Sequence, residues 1–63
     1  MNSTHNRIKV QYVCPEKKIS KQPLTGYREV RSVTSFEGEG VRVEYFDGDI
    51  EWFADNTLVF LLK

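Results

Sequence analysis

Chemistry-bearing residues are scarce in this chain, which has one cysteine, Cys14, and one histidine, His5. A single thiol cannot close an internal disulfide, so the fold must be held by its core or by a partner. One His and one Cys nine residues apart do not assemble a zinc shell. A serine or cysteine nucleophile needs a positioned base, and the only imidazole stands in a polar terminus. Gly38-Glu39-Gly40 lacks the further glycine and the following helix that a phosphate-binding loop requires. No catalytic group, metal or cofactor is therefore expected. The longest apolar run, Leu58 to Leu62, falls far short of the ~20 residues that span a bilayer. The opening Met-Asn-Ser-Thr-His-Asn lacks the basic-then-apolar layout of a secretory signal, and a cytoplasmic location is the expectation.

What is present suits one small domain. The chain has 63 residues, 40% of them hydrophobic and eight of them aromatic, enough for a single core and too few for two. Residues 1–6 are polar and aperiodic and are expected to form a disordered N-terminal tail, leaving 7–63 as the domain. Ile8, Val10, Tyr12 and Cys14 fall at every second position with Arg7, Lys9 and Gln11 out of phase, Val13 alone breaking the alternation, which predicts a half-buried strand ended by Pro15. In that phase Cys14 is a small buried hydrophobe. Residues 15–26 hold both prolines and three lysines and predict a long loop anchored by Ile19 and Leu24. Tyr27 to Phe36 is rich in strand formers, but Val30 and Val33 are three apart, which predicts a bulge near Ser32. Residues 37–40 then turn on two glycines.

The clearest feature is a hairpin over Val41 to Ala54, turned at Asp47-Gly48. Reading Asp-Gly as a two-residue type I′ turn pairs Tyr45 with Ile50, Glu44 with Glu51, Val43 with Trp52 and Val41 with Ala54. One face is then apolar: Val41, Val43, Tyr45, Ile50, Trp52 and Ala54. The other carries Arg42, Glu44, Phe46, Asp49, Glu51 and Phe53. It sets Glu44 against Glu51, an unfavourable like-charge pair. Asp55-Asn56-Thr57 supplies the next turn. Leu58 to Leu62 is apolar on both faces, either a doubly covered strand or a short helix capped by Asp55, Asn56 or Thr57.

These segments predict an all-β fold, a small five-stranded barrel or antiparallel meander, with a β-sheet carrying a short C-terminal helix as the alternative. Five strand-like segments, a long first loop, a tight third turn and a short last turn resemble in layout the SH3-like barrels across residues 7–62. No sequence motif of that family is present. The acidic and aromatic run by which its peptide-binding members hold proline-rich ligands is absent, so that activity is not implied.

Charge is balanced overall but divided along the chain: residues 1–32 carry a net +5 and residues 33–63 a net −5. The acidic and aromatic hairpin face, Glu44, Phe46, Asp49, Glu51 and Phe53, is the first candidate binding surface. It suggests a non-enzymatic protein-binding module, a small accessory or regulatory protein docking on a larger protein partner. A homodimer through Leu58 to Leu62 would cover the doubly apolar segment. The competing expectation is a nucleic-acid-binding module using Lys9, Lys17, Lys18, Lys21, Arg28 and Arg31, although few aromatics stand among those cations.

Overall fold

The computed structural model describes residues 6–62. Six strands form one antiparallel sheet: β1 (Asn6–Lys9), β2 (Lys18–Ser20), β3 (Arg28–Phe36), β4 (Gly40–Tyr45), β5 (Ile50–Phe53) and β6 (Leu58–Leu62). Their spatial order is β1-β6-β2-β3-β4-β5, and the sheet does not close into a barrel. The fold is thus the expected all-β meander, with six strands in place of five and an open sheet in place of the barrel. Of the expected N-terminal tail, residues 1–5 lie outside the described residues, while Asn6 pairs with Leu61 in β1.

The additional strand comes from the segment expected to be a loop. Lys18–Ser20 sits between β6 and β3 and finds backbone partners on both sides. Ile19 anchors it as expected, at 1% exposure, whereas Leu24 points outward at 81%. Strand β1 is shorter than the alternation implied, because Val10–Tyr12 forms one 3₁₀ turn. A 3₁₀ turn repeats every three residues, so the inward positions become Val10 and Val13. Tyr12 and Cys14, both expected inside, are exposed.

Strand β3 contains the expected bulge. Its register on β4 shifts between Val30 and Ser32, so Arg31 is the extra residue and the two valines can both turn toward the core. Val30 is fully buried, and Val33 packs against the core from a partly buried position. At the following turn Gly40 has φ +109, and a Cβ there would stand 2.6 Å from the Phe53 carbonyl oxygen. Only glycine fits that approach.

Leu58–Leu62 is a strand, not a helix, lying between β1 and β2. The turn before it is closed by Thr57, whose N–H and hydroxyl both donate to the Ala54 carbonyl, at 3.2 and 2.7 Å. Asn56 adopts φ +67 there and is bracketed by the Gln11 side chain. One face of the sheet holds the core: Val10, Val13, Ile19, Val30, Val41, Val43, Tyr45, Phe53 and Val59.

Candidate interaction surface

The β4–β5 hairpin forms where expected, but through a longer turn. Gly48 N–H donates to the Tyr45 carbonyl at 3.0 Å, and Tyr45 N–H donates to the Asp49 carbonyl at 2.9 Å. Phe46, Asp47 and Gly48 therefore make a three-residue loop, with Gly48 at φ +95 in the left-handed position that such loops require. Asp49 N–H also donates to the Asp47 carboxylate.

That one extra residue turns β5 over. The observed partners are Val41 with Phe53, Arg42 with Trp52, Val43 with Glu51 and Glu44 with Ile50. Phe53 enters the core at 8% exposure, while Ile50 and Trp52, assigned to the apolar face by the shorter turn, stand outside at 53% and 55%. The predicted apolar face is corrected accordingly. The slip also removes the Glu44–Glu51 conflict, because the two acids now lie on opposite faces of the sheet.

The five residues Glu44, Phe46, Asp49, Glu51 and Phe53 consequently do not share a face. Glu44 lies outside, within 3.4 Å of the Ser32 hydroxyl. Phe46 is exposed at the loop tip, and Phe53 belongs to the core. Asp49 and Glu51 are both held by Arg28, whose Nη1 donates to Asp49 at 2.9 Å and whose Nη2 donates to Glu51 at 3.1 Å.

Glu51 is the centre of a satisfied polar cluster on the core side. Its Oε1 accepts from the Tyr45 hydroxyl at 2.7 Å, and its Oε2 pairs with Lys21. The Arg28 guanidinium lies 3.8 Å above the centre of the Tyr45 ring. Burial alone would push the Glu51 carboxyl up. Hydrogen bonds from Lys21 and Tyr45 and the charges of Lys21 and Arg28 outweigh that and hold it below its ordinary value. Burial and the neighbouring Glu51 push the Tyr45 phenol up, so it keeps its proton and remains a donor. These groups line a pocket of about 270 Å³ together with Ile19, Ser20, Phe53 and Val59. The carboxylate is committed to three partners inside the chain.

On the outer face of β3, β4 and β5, the slip assembles a patch that the sequence reading missed. Trp52 packs on Phe36 with ring centres 5.4 Å apart, and the Arg42 guanidinium stands 5.7 Å from the Phe36 ring centre. Among the described residues, the buried Arg42 Nε has no hydrogen-bond partner. Ile50 extends the patch beside Glu44. The Glu44–Glu51 conflict was the signal that a different register was required.

The six cations of the nucleic-acid alternative also divide. Lys21 and Arg28 are spent on Glu51, Asp47 and Asp49. Lys9, Lys17, Lys18 and Arg31 are exposed. Across β1, β6 and β2, Lys9 lies opposite Leu58, Arg7 opposite Phe60 and Lys18 opposite Leu62. A basic and apolar outer face results, to which Arg7 belongs although it was not among the six. Among the described residues, no group of three His, Cys, Asp or Glu side chains is placed to hold a metal ion. Comparison with protein-family models, with curated proteins and with solved structures finds no match to this chain.

Proposed function

We propose that this chain is a non-enzymatic protein-binding module, a small accessory or regulatory protein that docks on a larger protein through the outer face of β3, β4 and β5. The observation that carries this reading is Trp52, more than half exposed yet held by Phe36 on a hydrogen-bonded sheet. Tryptophan and arginine are over-represented where protein interfaces concentrate their energy, and phenylalanine is enriched in interfaces generally. A ring already fixed in the free protein loses little entropy on binding. The test is affinity capture from the native host with the wild-type chain, Trp52→Ala and Leu58→Ser in parallel. A partner retained by wild type and Leu58→Ser but lost by Trp52→Ala, with circular dichroism unchanged, is the expected result. Equal recovery by all three overturns the reading.

A nucleic-acid reading draws on a separate observation: Arg7, Lys9 and Lys18 flank Phe60 and have no ion pair among the described residues. Three phosphate contacts to a single strand would give a slope of about −2 in log affinity against log salt. Absence of binding to DNA or RNA oligonucleotides at low salt removes this reading.

A further inference from the structure

Strand β5 is an edge of the sheet, and its free side is complementary to itself. Tyr45 and Asp49 form a hydrogen-bonded pair, and such pairs alternate along an antiparallel ladder. Val43 with Glu51 and Val41 with Phe53 therefore continue the bonded series. The backbone groups of Ile50 and Trp52 consequently face away from β4. Among the described residues, neither backbone is bonded to another loop or side chain.

We propose that a second copy of this chain pairs with β5 through this edge, antiparallel and with Glu51 at the two-fold axis. In that register Ile50 of one copy and Trp52 of the other exchange both backbone bonds, and the symmetric pair does the same. Four hydrogen bonds form with no change in the monomer's own ladder. No other symmetric register joins both exposed residues to each other. On the outer face each Ile50 meets the other copy's Trp52, an aliphatic–aromatic cross-strand pair of the favourable kind.

On the inner face the two Glu51 carboxylates approach, which opposes association. Each, however, already holds Arg28, Tyr45 and Lys21. Edges of sheets are commonly protected by charge, proline or a covering element. Here the side chains flanking the free backbone groups on the outer face are an isoleucine and a tryptophan. The second copy also contributes to the docking surface, since the two Phe36–Trp52 patches merge across the junction. The pairing itself stands without any third partner.

The contact is small, so a weak, concentration-dependent dimer is expected. Sedimentation and light scattering on the purified chain should show mass rising toward that of a dimer at high concentration. Over the same range the amide exchange of Ile50 and Trp52 should slow more than tenfold. Ile50→Glu with Trp52→Glu sets like charges against each other in both pairs and should give a monomer. Ile50→Lys with Trp52→Glu sets opposite charges in those same positions and should restore association, now weakened by salt. A wild-type monomer at millimolar concentration overturns the proposal. So does a dimer whose Ile50 and Trp52 amides still exchange as in the monomer, or a Lys/Glu variant that associates no better than the Glu/Glu variant. The exchange measurement uses the wild-type chain and stays decisive even where a variant does not fold.

Discussion

The two halves of the sheet present different outer faces, and each arises for a different reason. On β1, β6 and β2 the outward apolar groups, Leu58 and Leu62 exposed and Phe60 partly buried, come from a strand that is apolar at every position with a core on only one side. On β3, β4 and β5 the strands alternate, and the exposed Ile50 and Trp52 come from a turn that reversed the alternation of β5. In the first half, composition leaves apolar groups outside. In the second, a local backbone geometry does so, and it simultaneously brings Glu51 in.

The sharpest way to break this comparison is to truncate neighbours on β5. Phe53→Ala removes a ring at 8% exposure and is expected to cost about 3–5 kcal/mol. Trp52→Ala, on the adjacent residue, should cost less, on the order of 1 kcal/mol for the lost contact with Phe36. Urea denaturation of the two variants measures the difference. The reverse ranking would restore the two-residue turn and remove the inverted face.

The half that misled the sequence reading is also the one with the plainest signals. Asp47-Gly48 marked the hairpin, but the pair serves a two-residue loop or the end of a three-residue one, and only Tyr45, Phe46 and their long-range contacts decide which. Phe46 N–H donates to the Glu29 carbonyl at 3.0 Å, a bond to β3 that local sequence cannot reveal. The bulge at Arg31 was legible because Val30 and Val33 break a period of two. The 3₁₀ turn was not, since Ile8-x-Val10-x-Tyr12-x-Cys14 keeps a period of two that only Val13 breaks, and the turn depends on the Val10 N–H finding the Thr57 carbonyl at 2.8 Å. Lys18–Ser20 carries one apolar residue, too little to announce a strand that β3 and β6 make by pairing with its backbone. The Glu51 cluster joins Lys21, Arg28 and Tyr45 from three separate segments, so only its charge asymmetry was visible beforehand.

On β6 the same comparison can be sharpened at smaller amplitude. Val59 is 1% exposed and Leu58 51%. Val59→Ala should lose about 1.5–3 kcal/mol, whereas Leu58→Ala should lose less than about 0.5 kcal/mol despite deleting a larger side chain. Equal losses would mean that both faces of β6 are covered in solution, as a dimer through Leu58 to Leu62 would produce.

The smallest expected effect concerns the polar group that β5 brought inward. Glu51→Gln keeps the shape and one acceptor but loses the charge that Lys21 and Arg28 complement, at a cost of about 1 kcal/mol near neutral pH. Lys21 is largely exposed, so most of that loss belongs to Arg28 and Tyr45. The pH dependence is more diagnostic than the magnitude. Because the folded carboxyl titrates below its ordinary value, the unfolded chain binds the extra proton first as pH falls. The stabilisation is therefore complete above the ordinary carboxylate range and is lost as pH drops through the depressed folded value. Urea midpoints measured from about pH 7 down to about pH 2 should fall more steeply for wild type than for Glu51→Gln, the two curves converging at the acid end. Parallel curves would show that Glu51 is solvated like an outer-face acid, and the inward placement that sets this half of the sheet apart would be lost with it.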